Sequence, residues 1–342
     1  MHNYLSGIQQ IGIGVKNAQE AMNVYKSIFG LDVLIFDDVA QAKLMSQYTG
    51  NKIHERRAIL TMNLQGGGGF EIWQFLDRTP IATNEVNLGD LGIYSPKIKS
   101  LDIKKSYNRL SNVSGIQVSA ITKNGNSSQF WVKDQYGNNF NIVFSSEWFQ
   151  NGKHDTGGVC GAVIGVSDME RSLHFYKEIL GVNEILYDNE STEADGNLYR
   201  KVGLFKKATG KGAFNKLLGS VEIELIQILN KTPKKIYENK YWGDCGFIHL
   251  CLDVLDMKSL KLHSDKNNYN FTVDSNNTFE MDSASGRFCY IEDPDGTLIE
   301  LVETHKVPIF KKIGWFLDLR KRDFEKPLPN WMIKMLALSK VK

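Results

Sequence analysis

Phe70-Glu71-Ile72-Trp73-Gln74-Phe75-Leu76-Asp77-Arg78-Thr79-Pro80 returns as Ile223-Glu224-Leu225-Ile226-Gln227-Ile228-Leu229-Asn230-Lys231-Thr232-Pro233, with Glu224 standing 153 residues after Glu71. Upstream, Gly14-Val15-Lys16-Asn17 is answered by Gly165-Val166-Ser167-Asp168, 151 residues on. Downstream, Asp134-Gln135-Tyr136-Gly137 is answered by Asp293-Pro294-Asp295-Gly296, 159 residues on. The order is kept and the offset drifts by a few residues, as loop-length changes produce in a duplicated chain. Two similar halves are expected, 1–150 and 155–305, joined by a Ser- and Gly-containing polar linker within 145–158 and followed by a distinct tail, 306–342.

Each half divides again. Residues 8–15 read as a buried strand, and Asn17 with Glu20 as a capping box. Met22, Val24, Tyr25, Ile28 and Phe29 form a helical apolar stripe that Gly30 would end. Ser167 with Glu170, then Leu173, Phe175, Tyr176, Ile179, Leu180 and Gly181, repeat the pattern. Three strand-like runs follow the first helix, at 31–36, 57–64 and 70–75, completing a βαβββ unit. A second unit starts near Leu91 and ends with strands at 130–132 and 139–144. Its counterpart starts near Phe247 and ends at 289–292 and 297–302. The expected fold is therefore α+β, four βαβββ modules in two tandem halves. Residues 66–69, four consecutive glycines, read as a flexible hairpin loop more readily than as a phosphate cradle, because no helix start follows.

Composition narrows the classes. Of 342 residues, 42% are hydrophobic and 23% charged, which excludes disordered and fibrous chains. A net charge of +2 offers no whole-chain case for nucleic acid. No apolar run reaches the roughly 18 residues of a membrane span. Residues 1–7 show no secretory pattern. Cys160, Cys245, Cys251 and Cys289 have no CxxC spacing and read as reduced thiols of a cytoplasmic protein. The tail holds ten Lys/Arg against three Asp/Glu, a net of +7, which leaves −5 for the body. Its Trp315, Phe316, Leu317, Trp331, Met332, Met335 and Leu336 alternate with those charges, as in a segment that binds a membrane surface. Pro327 and Pro329 break it into short pieces, which favours a C-terminal helix that packs on the body or closes a cup.

The repeat also aligns polar residues. Five positions before Val15, Val166 and Val254 stand Gln10, Gly161 and His249, and the same count in the second module gives Asp90. Near the ends of the last strands stand Glu71, Asn141, Glu224 and Glu300. Glu71 lies between Phe70 and Ile72, and Glu300 between Ile299 and Leu301. A carboxylate in so apolar a strand needs a cation, a hydrogen-bond network or water, and a metal is one solution.

These residues carry a family resemblance. Gly-Val-Ser-Asp before the helix that ends at Gly181, then Gly246-Phe247-Ile248-His249-Leu250-Cys251, then Asp293-Pro294-Asp295-Gly296-Thr297-Leu298-Ile299-Glu300-Leu301, resemble the vicinal oxygen chelate superfamily. That superfamily includes glyoxalase I, methylmalonyl-CoA epimerase, extradiol dioxygenases and bleomycin-resistance proteins. The resemblance covers about residues 7–305 and implies paired modules forming curved mixed sheets that cup one divalent ion. It does not fix the reaction. If adjacent modules three and four pair, the ligand positions are Gly161, Glu224, His249 and Glu300, and glycine cannot ligate. If module one pairs with module four, the set is Gln10, Glu71, His249 and Glu300, similar to the eukaryotic-type glyoxalase I site. The companion cup would then hold Asp90, Asn141, Gly161 and Glu224 and would be depleted.

The favoured set offers imidazole, carboxylates and an amide oxygen, suited to Zn, Ni, Co, Mn or Fe(II). The resemblance implies Glu300 as the base, Glu71 opposite it as ligand or second acid/base, and His249 and Gln10 holding the ion. The expected function is a glyoxalase-like lyase or isomerase acting on a small molecule with vicinal oxygens through a metal-stabilised enediolate. A ring-cleaving dioxygenase and a non-catalytic binding or resistance protein are the alternatives. A homo-oligomer is allowed by the family and untouched by the sequence. The positions that bind glutathione in glyoxalase I fall on Gly14, Phe75 and Cys245, which cannot grip a carboxylate through their side chains. Trp73, Phe75, Phe247 and Tyr290 hint at an aromatic pocket. His54, His174 and His263 read as surface residues, and His305 as within reach of the cup mouth. Gln74 and Gln227 read as structural, and Cys160 as facing away from the cup.

Overall fold

The structure is a computed structural model that describes residues 4–83, 85–124, 127–276, 279–281, 284–310 and 315–341. Module one comprises β1 (Leu5–Gly14), α1 (Ala18–Phe29), β2 (Val33–Gln41), β3 (Glu55–Met62) and β4 (Gly69–Phe75). Module two comprises β5 (Gly92–Ser100), α2 (Ile103–Leu110), β6 (Gln117–Val118), β7 (Thr122–Asn124), β8 (Ser127–Lys133) and β9 (Asn139–Phe144). Module three comprises β10 (Thr156–Gly165), α3 (Met169–His174), β11 (Glu184–Thr192), β12 (Leu198–Lys206), α4 (Asn215–Leu218) and β13 (Val221–Ile228). Module four comprises β14 (Gly246–Val254), α5 (Met257–Lys266), β15 (Val273–Asp274), β16 (Phe279–Met281), β17 (Ala284–Glu292) and β18 (Leu298–Phe310). β19 (Trp315–Asp318) and α6 (Asn330–Met335) follow. No helix among the described residues is long and apolar enough to cross a membrane.

The sheets do not follow the halves. One runs β15-β17-β18-β14-β1-β4-β3-β2, joining module four to module one, and the other runs β11-β12-β13-β10-β5-β9-β8-β6, joining module three to module two. The seams are the antiparallel pairs β1·β14 and β10·β5. The adjacent-module pairing is therefore absent, and Glu224 lies in a different sheet from His249 and Glu300.

Local chemistry explains the elements. Asn17 accepts from the Gln19 and Glu20 amides at the start of α1, and Gly30, at φ 70°, ends it in a left-handed conformation. In module three the cap is Asp168, which accepts from the Arg171 amide, rather than the expected Ser167. Ser167 instead donates to Asp295. Gln74 and Gln227 accept the first amides of α1 and α3, from Ala18 at 2.9 Å and Met169 at 3.1 Å, which explains their repetition. The DQYG and DPDG turns are tied to the preceding modules by Tyr25 on Asp134 at 2.8 Å and Tyr176 on Asp293 at 3.0 Å. Apolar residues of both sheets, including Phe70, Phe140, Ile223 and Phe247, meet α1 and α3 in one large core.

The glycine run is not a flexible loop. Gly67 donates to Leu217 O and Gly68 to Val159 O, while Gly158 donates back to Gly66 O. A Cβ on Gly158 would lie 2.2 Å from Gly68 O, so only glycine permits this buried seam between the sheets. The tail closes one cup, as one of its readings expected. Leu328 and Ile333 pack with Val33, Met62, Leu64 and Leu217. Residues 311–314 of that tail lie outside the described residues. β18 continues to Phe310, so the boundary expected at 305 falls inside a strand.

Candidate metal centre

Four strands of the first sheet bring the favoured set together. Parallel register places Gly12 of β1 beside Glu71 of β4, and Cys251 of β14 beside Glu300 of β18. Antiparallel register places Gly12 opposite His249. Gln10, Glu71, His249 and Glu300 are all buried, His249 completely. The His249 Nε2 lies 3.2 Å from Glu71 Oε2 and 3.1 Å from Glu300 Oε2. Gln10 Nε2 donates to both carboxylates at 3.3 Å. One ligand atom from each of Glu71, His249 and Glu300 lies within 4.8 Å of the others.

The polar accounting points to a missing partner. Both His249 Nε2 and Gln10 Oε1 are buried without a hydrogen bond among the described residues. Nε2 is close enough to both carboxylates for charge attraction, but the angles do not make a hydrogen bond. Buried polar atoms are rarely left so. Two carboxylates, an imidazole nitrogen and an amide oxygen form a set that could hold a divalent cation, and two negative charges would neutralise it. With no cation, burial disfavours imidazolium, but Glu300 and Glu71 overcome this and hold His249 up to about 9. Burial likewise raises Glu300, and His249 more than reverses it, so its carboxyl stays below the ordinary range.

Neighbouring residues orient the set. The Tyr290 hydroxyl lies 3.2 Å from His249 Nδ1, leaving Nε2 toward the carboxylates. Trp242 lies nearly parallel to the imidazole, with ring centroids 6.1 Å apart. Cys251 sits in the same register, but burial first and Glu300 next keep its thiol protonated. Gly12 supplies space, since a Cβ there would lie 2.4 Å from His249 Cε1. Sequence reading missed Gly12 and Trp242. Gly12 carries no chemistry of its own, and Trp242 lies in a loop outside the repeated strands.

The companion cup corrects one expectation. β5 and β14 are both nine residues long and both start at glycine, so Ser95 takes the place of His249 and Lys97 that of Cys251. Lys97 pairs with Asn141 just as Cys251 pairs with Glu300. Asp90 lies before the strand in a turn, accepting from the Asn87 and Lys234 amides. Its count failed because β5, which carries Pro96, does not share the Val-ended frame of the other first strands. Lys97 is buried and reaches Glu222 at 2.5 Å and Glu224 at 2.6 Å. Glu224, the alternative ligand, is thus held by an ammonium. Burial pushes Lys97 toward neutrality, but the two glutamates overcome this and hold it well above the usual lysine range. Gly161 has no room for a ligand, since a Cβ there would lie 2.3 Å from Glu222 O.

The remaining expectations divide. Trp73 and Tyr290 line a cavity of about 790 Å³ beside the four donors. Phe75 instead lies under Arg78, and Phe247 is turned into the large core by the bulge at Ile248, where consecutive Gly12 and Ile13 pair with His249 and Phe247. His54 is half-buried on Asp77 at 3.1 Å rather than free on the surface. His174 is exposed, and His263 bonds the Glu178 carbonyl at 2.8 Å. His305 pairs with Glu303 at 2.9 Å and lines a separate small cleft, not the cup. Cys160 is buried, with its Sγ on the Lys97 carbonyl, and all four cysteines are free thiols.

A family model for the Glyoxalase/Bleomycin resistance protein/Dioxygenase superfamily matches residues 160–301. Glyoxalase I from Zea mays shares the fold at 14% identity and a TM-score of 0.54, covering 87% of this chain and 92% of that one. A protein from Bacillus subtilis subsp. subtilis str. 168 assigned as a dioxygenase does so at 12% identity and a TM-score of 0.55, covering 88% and 86%. No curated protein matches in sequence. Residues 160–301 thus match the vicinal oxygen chelate family, and the chain as a whole has the glyoxalase/dioxygenase-like curved sheets with a C-terminal helix.

Proposed function

We propose that the chain is a metal-dependent lyase or isomerase acting on a small molecule with vicinal oxygens. The observation that carries this reading is the unpartnered His249 Nε2 beside two buried carboxylates, at 3.2 and 3.1 Å, with the buried Gln10 Oε1 likewise unpartnered. Gln10, Glu71, His249 and Glu300 would hold one divalent ion. Such an ion supplies Lewis-acid polarisation of two adjacent substrate oxygens. Glu300 would take a proton from the carbon bearing one of the vicinal oxygens and return it to the neighbouring carbon, with Glu71 opposite it as ligand or second acid/base. Gln10 holds both carboxylates through its amide nitrogen, and Tyr290 fixes the imidazole. Trp73 and Trp242 form an apolar wall at the reacting centre. The donor set includes one histidine, which disfavours the two-histidine iron triad of an oxygenase.

The test is solvent exchange at carbon. The Zn-, Ni- or Mn-loaded protein is mixed with 2-hydroxyacetophenone in D₂O and followed by NMR. Deuterium entry at the carbon beside the carbonyl, lost in Glu300→Gln, supports the reading. Oxygen uptake with the iron-loaded protein would move it to a dioxygenase. Metal-independent binding without exchange would leave a binding protein.

A further inference from the structure

We infer that the site takes a bulky, uncharged, largely aromatic molecule, and that the C-terminal segment sets its size. The inference rests on the proposed metal reading, in which Gln10, Glu71 and Glu300 line the cavity with His249 directly behind the two carboxylates as its chelating pole. At about 790 Å³ the space matches a drug-sized ligand, far beyond a two- or three-carbon dicarbonyl.

The lining selects against charge. Arg56 is buried beside the cavity, but Asp38 already takes it through both its carboxylate, at 2.6 Å, and its carbonyl, at 2.8 Å. Lys43 and Lys306 also line the space, but both are exposed at its rim. A carboxylate on the ligand body would meet no free cation inside among the described residues. The wall beside His249 is aromatic, with Trp73 and Trp242 edge to face at a centroid distance of 4.1 Å.

The far wall belongs to the tail. Met335, Leu336 and Leu338 line the cavity. The segment is fixed at its end by Lys340 on Asp32 at 2.9 Å and by the Val341 amide on the Asp32 carbonyl at 2.9 Å. Leu336 faces both the ligand space and the apolar cluster around Val33 and Met62. It therefore sits where a larger side chain would shorten the cavity without touching the four donors.

The test uses two chelators with the same 3-hydroxy-4-pyranone head. Maltol is little more than that head, and 3-hydroxyflavone adds a fused ring and a phenyl group. Binding to the Zn-loaded full chain is measured by quenching of tryptophan fluorescence. The expected result is at least tenfold tighter binding of 3-hydroxyflavone, with that ratio falling at least fivefold in Leu336→Trp. Leu336→Ala, which lengthens the space, should leave the ratio at or above its native value. Equal affinities in the native chain, tighter binding of a sulfonated flavone, a ratio unmoved by Leu336→Trp or one lowered by Leu336→Ala would overturn the inference. His249→Ala separates the two readings. If it weakens both probes, the chelating pole stands. If it changes neither while the ratio persists, the size preference stands and the proposed metal reading fails.

Discussion

The two sheets of this protein share one design but hold their buried carboxylates differently. In the first, Gln10, Glu71, His249 and Glu300 converge, with a buried imidazole nitrogen and amide oxygen left without partners. In the second, Gly161, Glu224, Ser95 and Asn141 occupy the corresponding positions, and Lys97 crosses the cup to Glu222 and Glu224. Both solve the problem of a carboxylate buried in an apolar strand. The second supplies the cation from its own chain. The first, in the reading proposed above, takes one from solution. The difference lies in few positions: Gly12 makes space for the histidine ring where the second sheet has Val163, and Gly161 makes space for Glu222 where the first sheet has Gln10.

The largest effect should come from removing the internal cation. Lys97→Met leaves two facing carboxylates, one of them buried, and should cost about 3–5 kcal/mol, somewhat less because Glu222 is partly exposed. Urea denaturation measures it, and a loss under 1 kcal/mol would show that Lys97 does not neutralise the second cup. The metal-free first cup should respond to pH instead. His249 has a folded-state value of about 9, above its ordinary 6.5. Its stabilisation is therefore complete below about pH 6.5 and is lost as pH rises through 9, roughly 3 kcal/mol in all. Metal loading should reverse the slope, because the ion displaces the proton. Lys97 stays charged across that range, so its cup contributes no such slope.

Smaller changes sharpen the contrast. Gly12→Val copies the second sheet's residue into the first and should displace the His249 ring, at a cost of about 1–3 kcal/mol and with loss of metal binding. Metal titration of a folded variant that still binds at native affinity would refute this. Tyr290→Phe should weaken metal binding by about 10–100-fold without changing the fold. Gln74→Ala and Gln227→Ala should each cost about 1 kcal/mol, because each removes the same bond to a helix start in the two halves.

Much of this was legible in the sequence because duplication shows it twice. The Glu71 and Glu224 strands, the capped helices and the Asp-turns each have a partner at a nearly constant offset. The favoured site was legible for the same reason, since period-two alternation puts an acid on the wrong face of an apolar strand. Asp90 was misplaced because the second module has lost the pattern that sets the count, and Ser95 carries no imidazole or carboxylate that would signal the true register. Lys97 was invisible as a counter-ion because its partners lie more than a hundred residues away, across a seam between halves. Trp242 and the roof from Leu336 come from segments outside the repeat, so nothing in the first half announces them.

The most direct measurement is metal content per chain after reconstitution, for the native protein beside His249→Ala, Gln10→Ala and Glu224→Gln. One divalent ion per chain, lost with His249→Ala, weakened with Gln10→Ala and untouched by Glu224→Gln, is the predicted result. No ion under any reconstitution, a second ion, or loss with Glu224→Gln would contradict the claim that only the first cup was built to take its cation from solution.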